Sequence, residues 1–493
     1  MNRETQIIDR MAKKDYGKVN EDIIDKLKEI VGEDYVITDK KSMGDYKRDE
    51  SFDTSVKERY PDVLVKPSTT EEISKIMKIA DKNKIPVTPV GGKTGLVGGI
   101  VPVMGGISLS LERKDGMIEV DQENLMVEVD AGVTMTELYE EIEDNGLTLP
   151  IHPTTGDAEV GGTISTNAAG ETSFKHGMMR NYVMGLEVVL PNGEIITVGG
   201  KILKDNTGYS LKDLFIGAEG TLGIITKAIL RLYPPSEKPR FIIVPFNSKE
   251  DAIQTVPKIV KSGIIPEGVE YLEKGPIEDS ERDANVKWPV EKGEATLMIA
   301  ISGRDEEEIL SKAEVIMEVC EENNAIDLFM ATEDREIEKL LEIRERIGEG
   351  GGEHEGKRYW SADFCVPLSE LPGFLKKTEN ILKESSLEAD YYTFGHAGDG
   401  NVHVGGLFPE DMDKDEFHRV YDRWIDETIK LGGSVSGEHG VGLIRKSIMR
   451  KQRSKEEIRL MEAIKRAFDP NLIMNPGKIV PEMKDIEEEF VIL

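Results

Sequence analysis

Cysteine is almost absent from this sequence of 493 residues, which contains only Cys320 and Cys365. Two cysteines 45 positions apart exclude a disulfide framework, and they cannot supply the thiolates of an all-cysteine iron–sulfur cluster. So few cysteines are typical of a protein whose thiols stay reduced, and they predict a cytoplasmic location. Long apolar runs are missing as well, and no apolar core of signal-peptide length lies near the N-terminus. We therefore expect neither a membrane span nor a secretion signal.

Positive charge is also scarce. The sequence has 63 lysines and arginines but 94 aspartates and glutamates, which gives a formal net charge of −31. The sequence contains no basic block. This balance argues against nucleic acid and anionic membrane surfaces as direct partners. The chain is longer than a single hydrophobic core can organise, so we expect two or more domains.

Secondary-structure signals begin clearly near residue 60. A short strand at 62–66, a helix and a second strand at 86–90 predict a β-α-β unit that ends in a glycine-rich loop. The predicted helix carries an apolar stripe at helical spacing, formed by Ile73, Ile76, Met77 and Ala80. Further along, Asn192-Gly193 lies between two alternating strands and predicts a hairpin with a type I′ turn.

The pattern restarts near residue 237. FIIVPF, a helix over about 249–262 and GVEYLE form one predicted β-α-β unit. ATLMIAISG, a helix over about 305–323 and AIDLFMA form a second. This weak repeat predicts a ferredoxin-like α+β layer. The charged stretch at 348–358 is expected to be a surface loop.

Three segments of the first half are rich in glycine and other small residues, namely 90–99, 160–170 and 208–226. The first contains Gly-Lys-Thr, but Val87 stands where a Walker motif requires glycine, and no helix signal follows. The segment also does not fit the Rossmann fingerprint. A nest of backbone N–H groups that holds a diphosphate is the remaining functional interpretation, and a plain turn is the alternative.

Three of the seven histidines lie in the glycine-rich stretches FGHAGDGNVHV and SGEHGVG. At odd separation on one strand, His396 and His403 would point to opposite faces, but the glycines between them break the strand. A loop can then bring both imidazoles together, and Glu438 adds a carboxylate. Such a set suits a catalytic divalent metal, with zinc the default and iron or manganese as alternatives. The simpler interpretation is two histidines that stabilise a tight loop.

The small-residue segments together, PVTPVGGKTGLVGG, GGTISTNAAG, KHGMMRNYVMGLEVVLPNGE and IGAEGTLGIITKAILRL, resemble the FAD-binding domain of the vanillyl-alcohol oxidase/PCMH superfamily. With FGHAGDGNVHV, SGEHGVG and NPGK, residues 60 to 480 resemble its branch of D-lactate dehydrogenases, glycolate oxidases and D-2-hydroxyglutarate dehydrogenases. The resemblance implies an α+β fold. The expected parts are an N-terminal helical segment (1–57), a two-subdomain PCMH-type FAD-binding domain (58–236), a ferredoxin-like substrate or cap domain with the metal site (237–440) and C-terminal helices (441–493).

The resemblance also implies which residues line FAD. The first segment would hold the diphosphate, the second would line the cofactor, and the third would lie near the adenosine. In the order of the segments, these residues are Gly92, Thr94, Gly95 and Leu96 in the first; Gly162, Thr163, Ser165, Asn167 and Gly170 in the second; and Glu219, Gly220, Ile224 and Ile225 in the third. Relatives with covalent FAD use a histidine in the first loop. No histidine occurs there, so we expect non-covalent FAD.

The family's catalytic residues map onto this sequence. Relatives with these motifs bind a divalent ion through the residues that match His396, His403 and Glu438. The residue that matches His439 is their general base. Arg344 matches the residue that binds the substrate carboxylate. Taken alone, Arg344 would be read as a helix-surface arginine, and Arg346 is the second candidate. The implied reaction oxidises a D-2-hydroxy acid, with D-lactate first, then glycolate or D-2-hydroxyglutarate.

Electrons must leave the flavin, and two cysteines provide no internal relay. An external acceptor is therefore expected, namely electron-transfer flavoprotein or a separate iron–sulfur subunit, with a quinone at a membrane the least favoured. A homodimer is the expected assembly. Two competing hypotheses are a non-catalytic flavin- and metal-binding subunit and a metal-dependent hydrolase without flavin. The hydrolase would leave the three small-residue segments unexplained.

Overall fold

The computed structural model describes residues 16–51, 59–152, 156–235, 239–290, 293–348, 354 and 356–481. The chain divides into two compact units. Of the described residues, those up to Ala168, Met178–Pro234 and those from His439 onwards form the first unit, and those within Ala169–Gly177 and Pro235–Glu438 form the second. The described part of the predicted C-terminal segment therefore belongs to the first unit.

The helices begin where the sequence offers polar caps. Thr69, for example, accepts the backbone N–H of Glu72, and Ser454 forms a reciprocal capping box with Glu457. In chain order the helices are α1 (Glu21–Val31), α2 (Thr70–Asn83), α3 (Met135–Asp144), α4 (Val160–Thr166), α5 (Ser173–His176), α6 (Lys212–Phe215), α7 (Lys249–Lys261), α8 (Lys274–Ala284), α9 (Glu306–Glu321), α10 (Asp334–Gly348), α11 (Leu371–Lys383), α12 (Lys414–Lys430), α13 (Lys446–Gln452) and α14 (Lys455–Phe468). Among the described residues, none of the helices has the length and hydropathy needed to cross a membrane.

The first sheet of the first unit has four strands, β1 (Val36–Ile37), β2 (Val63–Val65), β3 (Val87–Val90) and β4 (Ile107–Ser110). Their order is β1-β2-β4-β3, and both β2 and β3 run parallel to β4. The apolar stripe predicted on α2 is fully buried. The predicted β-α-β unit is therefore confirmed, with β4 inserted between its two strands.

The second sheet of the first unit is antiparallel and has five strands, β5 (Ile118–Asp121), β6 (Met126–Asp130), β7 (Val183–Val189), β8 (Ile195–Gly199) and β9 (Ile224–Arg231). Their order is β5-β6-β9-β7-β8. The β7–β8 hairpin is confirmed, but its type I′ turn is wrong. Pro191 fixes a negative φ at the first central position, and of the turn residues only Gly193 has a positive φ, of 81°.

The second unit is built on a seven-stranded antiparallel sheet. Its strands are β10 (Arg240–Phe246), β11 (Gly268–Glu273), β12 (Ala295–Ile301), β13 (Phe329–Ala331), β14 (Lys357–Cys365), β15 (Asp390–His396) and β16 (Asn401–Pro409), in the order β13-β10-β12-β11-β15-β16-β14. The first four strands thus stand in the order fourth, first, third, second, which is the ferredoxin-like arrangement that the repeat predicted. Most of the surface loop predicted at 348–358 lies outside the described residues, and Lys357 already begins β14.

Candidate functional site

The two histidines of FGHAGDGNVHV come together because a tight turn joins β15 and β16. His396 ends β15, and the turn at 397–400 reverses the chain, with φ of 82° at Gly400. In the hairpin register His403 pairs with Phe394, which shares a strand face with His396. The two imidazoles therefore lie on one face of the sheet, with ring centroids 6.3 Å apart.

Glu438 completes this cluster. Its Oε2 lies 3.5 Å from Nε2 of His396, and its Oε1 lies 3.2 Å from Nε2 of His403. One potential ligand atom from each of the three residues lies within 4.8 Å of the others. Nε2 of His396 is buried and makes no hydrogen bond within the described residues. A buried ring nitrogen that makes no hydrogen bond, beside a second imidazole and a carboxylate, fits a divalent cation.

Glu270 holds His396 in position. The register of β11 and β15 places Glu270 directly opposite His396, and Oε1 of Glu270 hydrogen-bonds Nδ1 of the imidazole. A histidine that gives one ring N–H to a carboxylate presents the other nitrogen as a ligand of fixed orientation. Sequence reasoning missed Glu270. The signal was an acidic residue between Val269 and Tyr271 in a strand that is buried throughout.

Arg344 lies on α10 and is buried, with 5% of its surface exposed, so it is not an exposed helix-surface arginine. Its Nε donates to Oε2 of Glu270 over 2.6 Å. Within the described residues its two terminal nitrogens form no hydrogen bond. Glu270 therefore links Arg344 to His396 and leaves a two-pronged donor available. Arg346, the second candidate, instead pairs with Asp283 and Glu342.

The charges in this cluster are strongly coupled. Burial raises the pKa of Glu270, but the charges of Arg344 and His396 outweigh it and lower that pKa to about 2. Burial lowers the pKa of His396, yet Glu270 and Glu438 raise it well above its ordinary value. The two carboxylates therefore favour the protonated imidazole of His396, and a bound metal ion would displace that proton.

Asp363 and Asn401 position the chain that carries Glu438. Asp363, on β14, is buried and accepts the side-chain amide of Asn401 over 2.8 Å and the backbone N–H of Glu438 over 3.2 Å. A Cβ atom on Gly437 would overlap Nδ2 of Asn401, so only glycine fits there. The sequence shows Gly437 and Glu438 side by side. Nothing in it indicates that Asp363, 75 residues away, would accept the backbone N–H of Glu438.

His439, the predicted base, is the first residue of the final stretch of the first unit. Nη2 of Arg445 lies 3.4 Å from Nδ1 of His439. Because a guanidinium only donates hydrogen bonds, Nδ1 of His439 would be the acceptor in this contact.

In the first unit the three small-residue segments converge. A Cβ atom on Gly91 would lie 3.7 Å from Cα of Gly162, which joins the first segment to the second. The backbone N–H of Glu219 donates to the carbonyl of Ser165 over 2.8 Å, which joins the second to the third. Gly220 packs on Pro89, directly before the first segment. The three backbone-rich segments therefore lie next to one another.

Part of the second segment is a short helix, α4, rather than a loop. Gly162, Thr163 and Ser165 lie on α4, and Asn167 ends it in the left-handed conformation with φ of 55°. Gly170 belongs to the second unit, where its backbone N–H donates to Oγ of Ser173.

The remaining predicted FAD contacts differ in what they offer. Gly92, Thr94, Gly95 and Leu96 lie in the loop after β3, outside regular structure. Both carboxylate oxygens of Glu219 already accept backbone N–H groups, those of Val441 and Gly442, over 2.7 Å. Ile224 and Ile225 point into the core at the start of β9. The third segment therefore offers a cofactor its backbone rather than these side chains.

Packing within the first unit requires glycine at one position of this loop. A Cβ atom on Gly92 would lie 2.6 Å from the carbonyl oxygen of Asp157 and 3.1 Å from the backbone nitrogen of Glu159. Glycine is therefore required where the first segment meets the chain that leads into α4. A glycine-rich loop of this kind can present its backbone N–H groups to an anion.

Comparison with known proteins agrees with this arrangement. Residues 61–199 match the family model of an FAD binding domain, and residues 236–479 match that of the C-terminal domain of FAD linked oxidases. D-lactate dehydrogenase of Archaeoglobus fulgidus is 39% identical over 421 residues, which cover 85% of this chain and 92% of that protein. The chain belongs to the FAD-linked oxidase family.

The family assignment confirms the resemblance drawn from the motifs, and with it FAD as the cofactor and oxidoreductase chemistry. Glycolate oxidase subunit GlcD of Bacillus subtilis is 36% identical and covers 85% of this chain and 89% of its own length. The structure of p-cresol methylhydroxylase with substrate bound has a TM-score of 0.72 at 18% identity, covering 94% of this chain and 97% of that one. That neighbour shows the fold, and it confirms the predicted PCMH-type α+β architecture.

Proposed function

We propose that this FAD-linked oxidase converts a D-2-hydroxy acid to the 2-oxo acid, with D-lactate the first candidate and glycolate or D-2-hydroxyglutarate next. The observation that carries the proposal is the buried line Arg344–Glu270–His396 next to His403 and Glu438. It offers a carboxylate-binding fork and a cation-binding set within one unit. The relatives named D-lactate dehydrogenase and glycolate oxidase act on acids of this class, which supports the substrate assignment.

Arg344 would bind the substrate carboxylate. Nε is occupied by Glu270, so the two terminal nitrogens provide the fork that matches a carboxylate. Glu270 keeps the guanidinium fixed before substrate arrives, which reduces the ordering cost of binding. Arg346 cannot replace it, because both of its ion pairs lie with surface acids.

His396, His403 and Glu438 would hold a divalent cation, for which zinc is the first candidate and iron or manganese the alternatives. His439 would take the proton of the substrate hydroxyl, since imidazole titrates near neutral pH. When bound, the cation supplies Lewis-acid polarisation of the hydroxyl, and FAD supplies the acceptor for the hydride that leaves C2. Substrate thus loses one proton and one hydride, which is the balance of an alcohol-to-ketone oxidation.

The bound FAD is expected to be non-covalent, because the first small-residue segment contains no histidine. Its electrons would pass to an external acceptor, electron-transfer flavoprotein or a separate iron–sulfur subunit. Cys320 and Cys365 are free cysteines, and two thiols cannot hold an all-cysteine iron–sulfur cluster as a relay. A homodimer and a cytoplasmic location remain predictions.

An anaerobic titration of the purified protein with D-lactate, L-lactate, glycolate and D-2-hydroxyglutarate tests the proposal. Rapid bleaching of the visible flavin band by D-lactate, glycolate or D-2-hydroxyglutarate, and not by L-lactate, is the expected result. A flavin band that none of the acids bleaches would refute the substrate class while leaving FAD binding intact.

The variant His439→Gln provides the matched control. It should retain the flavin band and lose rapid bleaching, by roughly 10²- to 10⁴-fold in rate, because it removes the proton acceptor. Full bleaching rate in this variant would refute the base assignment alone.

A further inference from the structure

Glu159 is a buried acid that the proposed reaction does not use. It directly precedes α4 and is 7% exposed. Its Oε2 is buried and has no hydrogen-bond partner within the described residues. Its side chain also makes no capping hydrogen bond to α4. A carboxyl oxygen in this state needs an explanation, because buried polar atoms are nearly always paired.

The unpaired oxygen faces the glycine-rich loop. A Cβ atom on Gly91 would lie 3.4 Å from Oε2 of Glu159, and one on Gly92 would lie 3.1 Å from its backbone nitrogen. The carboxyl group therefore borders the glycines at the start of the loop whose backbone fits a diphosphate.

Burial and the surrounding charges together set the pKa of this carboxyl group. Burial, the largest influence, raises the pKa of Glu159 to about 8. Lys93 opposes that shift, whereas Glu112, Asp115 and Glu137 reinforce it. At neutral pH the group is consequently a carboxylic acid with an O–H to donate.

We propose that Glu159, as a neutral acid, donates a hydrogen bond to a diphosphate oxygen of bound FAD, so that cofactor affinity decreases at alkaline pH. Only the protonated form of Glu159 favours binding of the diphosphate. An ionised carboxylate beside the diphosphate would repel it, while the protonated group supplies the donor that an anion requires. The inference rests on FAD binding and adds to it a protonation requirement at one named residue.

The first test dilutes the full-length FAD-loaded protein at pH 6.5 to 9.5 and measures released FAD by its fluorescence. The dissociation constant should be level below about pH 8 and rise by up to about tenfold per pH unit above it. Glu159→Gln keeps a donor but cannot titrate, so its affinity should match at pH 7 and stay level. Glu159→Leu has no donor and should bind roughly ten- to a hundredfold more weakly at pH 7. The exposed Glu143→Gln is the surface control and should behave as the wild type.

Equal pH dependence in the wild type and Glu159→Gln would overturn the proposal, as would a Glu159→Leu protein with wild-type affinity. A protein that binds no FAD at any pH would instead refute the cofactor assignment, so the two failures are distinguishable.

The second test identifies the acceptor on the cofactor. Phosphorus-31 NMR of the FAD-loaded protein should show diphosphate resonances that shift as the pH is raised from 7 to 9.5 in the wild type. The same resonances should stay fixed in Glu159→Gln. Affinity that depends on Glu159 without this phosphorus titration would place the acceptor elsewhere on FAD and overturn the diphosphate assignment.

Discussion

Glu270 in the second unit and Glu159 in the first are similarly buried, 3% and 7% exposed, yet their carboxyl groups differ in charge at neutral pH. Glu270 touches the cationic side chains of Arg344 and His396, and its pKa falls to about 2. Glu159 has Lys93 as a favourable charge but also the repelling charges of Glu112, Asp115 and Glu137, and with burial its pKa rises to about 8. Burial is common to both, so the neighbours determine whether a buried acid is a fixed anion or a proton donor.

Of the changes that test this comparison, removal of the Glu270 carboxylate should have the largest effect on the free energy of unfolding. Glu270→Ala leaves two buried cations without their partner, so the free energy of unfolding should fall by about 3–5 kcal/mol. Urea unfolding in the presence of a chelator measures the loss separately from metal binding. The exposed Glu322→Gln serves as the control and should be unchanged. An unaltered unfolding midpoint in Glu270→Ala would show that the line Arg344–Glu270–His396 is not a buried ionic network.

The next largest effect should be on the pH dependence of stability, to which Glu159 contributes through its raised pKa. The folded-state pKa of Glu159, about 8, lies above its ordinary value of 4.5, so its neutral form favours folding at low pH. That stability is lost as the pH rises toward 8. Between pH 6 and 8 the free energy of unfolding should fall by roughly 2.5 kcal/mol through this group. Urea unfolding of the FAD-loaded protein should show this slope in the wild type and lack it in Glu159→Gln. Identical slopes would mean that Glu159 is already ionised at pH 6.

A subtler change to Glu270 tests its influence on the metal. Glu270→Gln keeps the size of the side chain but weakens its hold on His396, so affinity for a divalent cation should drop about 10- to 100-fold. Competition with a metal-binding dye measures this constant for zinc and manganese. The same assay on Glu159→Gln should give wild-type affinity, because Glu159 belongs to the first unit. A loss of equal size in both variants would contradict the assignment of the cation to His396, His403 and Glu438.

Glycine substitutions give the smallest expected effects. A methyl group on Gly437 would collide with Asn401 and Asp363, so Gly437→Ala should cost about 1–2 kcal/mol. The corresponding atom on Gly91 meets Oε2 of Glu159 only at van der Waals distance, 3.4 Å, so Gly91→Ala should change stability by less than about 1 kcal/mol. Thermal unfolding compares the two variants. Equal destabilisation would mean that the loop beside Glu159 is packed as tightly as the chain beside Glu438.

Local patterns predicted much of the fold. The apolar stripe of α2 and the two repeats after residue 237 identified the β-α-β unit and the ferredoxin-like strand order, because side-chain periodicity reflects which face is buried. The turn at Asn192-Gly193 shows the limit of such reasoning. The dipeptide suggested type I′, but Pro191 before it fixes φ and requires a different turn.

The sequence by itself determined the family, the cofactor class and the pair of histidines, because these depend on motifs of a few adjacent residues. The tertiary structure decided which charges meet. Glu270 lies 74 positions from Arg344 and 126 from His396, and only the register of β11 with β15 brings the acid opposite the imidazole. Glu159 likewise became distinct only when folding buried it against Gly91 without a partner among the described residues. The ionisation of a carboxyl group depends on distances in space, and these arise only when the sheets form.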